Sequence, residues 1–128
     1  MGQVLKSMTF EFFGKGLHKI APENLLGMEN AVFLDVRSNE EIASCPFLLG
    51  VHSNVTSLHI PIDEVPERLA EIPKGVMVGV FCPHHVRALM VYVYLRSKGY
   101  EQVKVVAGGY AAMSDAVLPG KLLAALSA

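Results

Sequence analysis

An α/β domain built around a mainly parallel sheet is the fold class predicted by this 128-residue sequence, on three observations. Residues 31–36 (AVFLDV) and 76–81 (VMVGVF) are near-continuous apolar runs, the composition of strands covered on both faces. Segments with helix start and stop signals alternate with the apolar runs. The connections are short, as strand–helix–strand units require.

The first element is a short helical turn at 22–26, bracketed by Pro22 near its start and Gly27 just past its end. The strand at 31–36 follows, with Asp35 near its end. Ser38 and Glu41 have capping-box spacing, so a short helix starts there and stops at Cys45-Pro46. Residues 46–56 read as a loop and 57–61 (SLHIP) as a short strand. Asp63 can cap a helix in which Val65, Leu69 and Ile72 recur at i, i+4 and i+7. Pro66 is tolerated in its first turn, and Pro73-Lys74-Gly75 closes it. After the strand at 76–81, a helix spans 86–98, ended by Gly99 with Arg96 and Lys98 in its last turn. Residues 103–106 (VKVV) form another strand, and Gly108-Gly109 turns into a final helical region.

Composition narrows the function. With 52% apolar residues the chain can build a core as one domain. Eleven Lys and Arg against twelve Asp and Glu advertise neither a nucleic-acid nor an anionic-membrane surface. Two cysteines make no disulfide framework, so the expected compartment is the cytoplasm, with the periplasm as the alternative. The first 16 residues lack a signal-peptide core, and no stretch approaches a membrane span. Gly2 is followed by a serine only at position 7, which makes myristoylation a poor reading. Oligomeric state is not legible.

One stretch concentrates the chemistry: residues 80–88, VFCPHHVRA. In a parallel α/β sheet, ligands bind at the carboxyl ends of the strands, and both Asp35 and Cys82 fall there. A cysteine between a strand end and a helix start meets amide N–H groups that have no helical partner, and their partial positive charge favours an anion. Arg87 adds a permanent cation five positions on. This setting favours the thiolate over the thiol and makes Cys82 a nucleophile near neutral pH. The same cradle suits an anionic sulfonate, sulfate or phosphate. The bland alternative is a small core cysteine at a strand end. The polar sequel His84-His85 and the nearby Arg87 argue against it.

With these residues in hand, the chain resembles single-domain rhodanese-like proteins from about Ile20 to Gly109. The likeness is carried by four segments in order: IAPENLL, FLDVRSNEEI, LHIPIDEVPERLAEIPKG, and VMVGVFCPHHVRALMVYVYLRSKGYEQVKVVAGGYAAM. It implies a three-layer α/β/α domain with a roughly five-stranded central sheet, occupying 17–128 behind an N-terminal extension at 1–16. It also implies a sulfurtransferase in which Cys82 takes sulfane sulfur from thiosulfate or a persulfide and passes it to a thiol or cyanide. On that reading Pro83, His84, His85, Val86 and Arg87 form the substrate-binding loop. The implied partners are a small anionic sulfur donor and a thiol or protein persulfide acceptor, with no cofactor, metal, nucleic acid or membrane.

The chain departs from the family in several places. The familiar loop is Cys-Arg-x-Gly-x-Arg. Here Pro83 replaces a basic residue and removes a backbone donor, and His85 takes the place of the glycine, where positive φ is needed. Protonated His84 and His85 could replace the lost positive charge. The segment SCPFLLGVHSNVTSLHIP differs from the usual Gly-His-Ile-Pro turn. No tryptophan follows Gly108-Gly109. The apolar FEFF near the start has no counterpart and reads as an added edge strand, an arm onto a partner, or disorder.

Three rivals are weighed against the sulfurtransferase. A Cys-dependent phosphatase or arsenate reductase needs five residues between Cys and Arg, and here there are four. A non-catalytic interaction module is the rival from another class, but such domains usually lose the cysteine. Metal binding by Cys82, His84 and His85 has the right ligand types but no second cluster. Asp35 is expected to accept loop N–H groups. Arg37 is expected either to pair with it or to grip an anionic donor at the pocket mouth. Cys45 reads as a bystander thiol rather than a resolving one, and Tyr92 and Tyr94 as helix packing.

Overall fold

In the computed structural model, which describes residues 1–47, 49, 52 and 54–117, the two apolar runs become adjacent strands. β2 (Ala31–Asp35) and β4 (Val78–Phe81) pair in parallel, Val32 opposite Val78 and Asp35 opposite Phe81. Every residue of both strands is buried, which is why neither shows polar alternation. β3 (Val55–His59) adds to the free edge of β2 and starts two residues earlier than expected. β5 (Val103–Val106) and the two-residue β1 (Lys19–Ile20) extend the other side. Among the described residues the sheet has five strands in the order β1-β5-β4-β2-β3, all parallel. β1 was not anticipated, since two residues are too few to show a period.

The sheet separates two apolar layers. Val32, Leu34, Val78, Val80, Val103 and Val105 face α5 (Val86–Ser97), whose Ala88, Val91, Tyr92 and Leu95 pack onto them. On the opposite face, Phe33, Phe81 and Val106 meet Leu25 and Leu26 of α3 (Pro22–Leu26) and Met113 of α6 (Gly109–Val117). This is the expected α/β/α arrangement. The N-terminal residues form two short helices, α1 (Gly2–Ser7) and α2 (Phe10–Gly14), and not an edge strand. Val4 is buried, and Met8 and Phe12 pack on the α5 side of the core.

α4 (Asn39–Ser44) carries the expected capping box: Glu41 N–H donates to Ser38 Oγ at 3.2 Å and Ser38 N–H donates to Glu41 Oε1 at 2.9 Å. The helix expected after Asp63 is instead two 3₁₀ turns, Ile62–Glu64 and Leu69–Glu71. Pro66 has no N–H to return to the Ile62 carbonyl, which takes the tighter bond from Val65 N–H. Arg68 then leaves helical geometry at φ −109°, ψ 17°. Asp63 lies exposed inside the first turn and caps nothing. The apolar spacing still does its work, since Val65 and Ile72 are buried and Leu69 packs against them. No helix among the described residues is long and apolar enough to cross a membrane.

Candidate active site

The carboxyl end of β4 delivers Cys82 directly to the mouth of α5. Cys82 sits on the α5 face of the sheet with only 1% of its surface exposed. Its Sγ accepts the main-chain N–H of Ala88 at 3.1 Å. Ala88 is the third residue of α5, and the helix's N-cap residue, His85, makes no side-chain capping bond. The sulfur therefore stands where a capping oxygen would stand, on one of the free donors of a 12-residue helix. Among the described residues, the expected ring of main-chain donors is represented at Sγ by this one amide.

The rest of the loop divides by environment. Pro83 is buried, His84 exposed, and Val86 is 63% exposed at the first turn of α5. His85 adopts φ 68°, ψ −16°, the left-handed conformation expected where the family has glycine. Its Nε2 accepts the N–H of Gly108 at 3.2 Å. Burial, then the charges of Lys19 and His84, push its pKa down from the ordinary histidine value. In this geometry the His85 ring serves as an acceptor, and the lowered pKa works against protonation that would supply positive charge.

Arg87 does lie in the electrostatic reach of Cys82, but its guanidinium is engaged. It donates to Glu41 Oε1 at 2.6 Å and Oε2 at 2.8 Å, a forked pair across 46 residues. Arg87 first, then the Ser38 amide, hold the Glu41 carboxyl down to about 2. Glu41 in turn raises the pKa of Arg87, with a smaller contribution from Cys82. The sequence revealed Glu41 only as a helix cap. Its second role, pinning the α4 start to the Cys82 loop, had no local signal.

Asp35 and Arg37 form a separate unit on the opposite face. Arg37 is fully buried and donates to Asp35 through Nε (2.9 and 3.1 Å) and Nη2 (2.7 Å), while its Nη1 donates to the Cys45 carbonyl at 2.7 Å and to Tyr110 Oη at 3.4 Å. Arg37 N–H also donates to Asp35 Oδ1. The guanidinium lies 4.7 Å from the Phe47 ring centre, 5.4 Å from that of Phe81 and 5.5 Å from that of Tyr110. With no donor exposed, Arg37 braces the strand ends and the α6 start and does not reach a pocket mouth. Asp35 accepts a loop N–H as expected. Cys45 contributes its carbonyl to this unit, and neither cysteine is in a disulfide.

Behind the loop stands the turn at Gly108 and Gly109, with φ 89° and 61°. A Cβ on Gly109 would fall 2.7 Å from the Pro83 carbonyl oxygen, so glycine there allows the turn to close on the Cys82 loop. Gly108-Gly109 was visible as a turn signal; its contact with Pro83, and the part played by Tyr110, were not. No group of three or more metal-ligating side chains is present among the described residues.

Comparison with known proteins agrees with this fold. The chain matches a sulfurtransferase of Allochromatium vinosum at 30% identity over 97 residues, 76% of this chain and 84% of that protein. Among solved structures, a rhodanese-like domain protein from Staphylococcus aureus is similar with a TM-score of 0.59 at 27% identity, covering 74% of this chain and 89% of that one. A NAD-dependent persulfide reductase from A. fulgidus is similar over 79% of this chain, at 33% identity and a TM-score of 0.58, but the match spans only 17% of that larger protein. The family model for the rhodanese-like domain covers residues 22–116, from α3 through α6. The chain belongs to the rhodanese-like domain family, with relatives that include named sulfurtransferases.

Proposed function

We propose that the protein is a sulfurtransferase that carries sulfane sulfur as a persulfide on Cys82. The observation that carries the reading is the Cys82 Sγ seated on the Ala88 N–H at the mouth of α5, beside Arg87. A helix N-terminus stabilises negative charge on sulfur, first on the thiolate and then on the persulfide. In the first step the Cys82 thiolate attacks the outer sulfur of thiosulfate. The new S–S bond forms as the old one breaks, and sulfite leaves with the electron pair. In the second step an acceptor thiolate, or cyanide, attacks the outer sulfur of Cys82 persulfide and releases the Cys82 thiolate. No net oxidation occurs in either transfer.

Loop length supports sulfur over phosphate, because four residues between Cys82 and Arg87 make a smaller ring than the five that wrap a tetrahedral phosphate. The cytoplasm remains the proposed site of action, and a thiol or protein persulfide the proposed acceptor. Two observations favour the rival reading of a non-catalytic module: Cys82 is almost fully buried, and Arg87 is occupied by Glu41. One experiment separates the two. The protein is incubated with thiosulfate or glutathione persulfide and its intact mass measured. A gain of one sulfur atom, absent in Cys82→Ser, is expected; an unmodified Cys82 with every donor would overturn the sulfurtransferase reading and favour the module.

A further inference from the structure

The side chain of His85 reaches across to the Gly108-Gly109 turn. The bond from Gly108 N–H to His85 Nε2 spans 23 positions in sequence. One residue further on, Gly109 sits against the Pro83 carbonyl so closely that no side chain fits. The turn therefore touches the Cys82 loop at two points, one steric and one a hydrogen bond. A main-chain N–H can only donate, so Nε2 must present its lone pair, and any ring proton in the neutral form resides on Nδ1.

We propose that neutral His85 is a positioning residue: it latches the Gly108-Gly109 turn onto the sulfur-carrying loop, and protonation of its ring opens the latch. The imidazolium carries N–H at both nitrogens. Its Nε2–H would then face the Gly108 N–H, two donors with no acceptor between them, and the turn would lose its tie to the loop. Two charged groups near the ring resist that protonation. Lys19 faces it from β1 and His84 from its own loop. His18, just before β1, is close enough to feel the charge of His85. Arg87, two residues on, is already paired with Glu41. Burial and these neighbours lower the pKa of His85, so the latch stays closed at neutral pH and opens only in acid, below the ordinary histidine range. A family glycine at this place could satisfy the positive φ but could not form the latch. The residue that departs from the family's loop thus gives this chain a proton-sensitive tie of its own.

The inference uses the persulfide reading for one of its two readouts and is independent of it for the other. The structural readout is the amide resonance of Gly108 in ¹H–¹⁵N spectra recorded from pH 8 to pH 5. In the wild type it should shift with the His85 ring, and the Nε2 nitrogen should report an unprotonated acceptor at neutral pH. In His85→Gln, which offers a non-titrating oxygen at similar reach, that shift should vanish. A Gly108 amide that ignores the His85 titration overturns the proposal. The functional readout is the pH profile of sulfur transfer, compared in shape. The wild type should lose rate on the acid side with one more proton than His85→Gln does. His85→Gly should lie below His85→Gln at neutral pH by up to about tenfold, the worth of one hydrogen bond. Identical acid limbs in wild type and His85→Gln would also overturn it. If the wild type transfers no sulfur at any pH while Gly108 still follows His85, the persulfide reading fails and the latch stands.

Discussion

Replacing Arg37 by methionine should destabilise the protein severely, even though Arg37 packs on the opposite face of the sheet from Cys82. Methionine keeps most of the volume between the Phe47, Phe81 and Tyr110 rings, so the change isolates the charge and its hydrogen bonds. What it leaves behind is Asp35, whose side chain is 6% exposed and whose remaining donor is the main-chain N–H of residue 37. In the wild type, burial opposes the guanidinium charge, but the hydrogen bonds to Asp35 and then Tyr110 outweigh it and raise the Arg37 pKa. Removing one partner of a buried pair costs about 3–5 kcal/mol, because the other charge is left uncompensated. For a chain of this size that corresponds to a fall of roughly 10–20 °C in Tm. Urea unfolding followed by circular dichroism measures the change directly, provided the m value is unaltered. Asp35→Asn combined with Arg37→Met should be clearly more stable than the two single costs added together, since neither charge remains. The reasoning is refuted if Arg37→Met lies within about 1 kcal/mol of wild type, or if the two costs simply add.

Two other substitutions test how the loop is held. The folded-state pKa of Glu41 lies below its unfolded value, so its pair with Arg87 adds stability above about pH 4.5 that is lost as the pH falls toward about 2. With side chains 30% and 33% exposed, solvent screening reduces this to about 1–2 kcal/mol. Unfolding free energies at pH 7 and pH 3 should differ by less in Glu41→Gln than in the wild type, and an unchanged pH dependence would deny the pair its role. Gly109→Ala places a non-glycine residue at φ 61°, at about 1–2 kcal/mol, and drives its Cβ onto the Pro83 carbonyl. Sulfur loading of Cys82 by thiosulfate should slow together with a drop in Tm, and a variant with unaltered loading would show that the turn does not support the loop.

Much of the fold could be read from local pattern, because its causes are local. The apolar runs of β2 and β4, the Ser38–Glu41 capping box and the stop of α5 at Gly99 each depend on residues a few positions apart. The candidate site was legible for the same reason: a strand end, Cys82 and a helix start are neighbours in the chain. The left-handed conformation at His85 was implied by the resemblance, since His85 takes the place of the family's loop glycine. The 3₁₀ turns at 62–71 were missed because the apolar spacing of Val65, Leu69 and Ile72 buries equally well without an α-helix, and the Pro66 defect decided the matter. What only tertiary structure settled is the assignment of charge. Arg87 finds Glu41 across 46 positions, Arg37 disappears beneath three aromatic rings, and His85 receives its proton donor from Gly108. Caps and periodicity act over one or two helical turns, whereas a guanidinium or an imidazole takes whichever partner the packed sheet brings within 3 Å or so, and no spacing in the chain encodes that meeting.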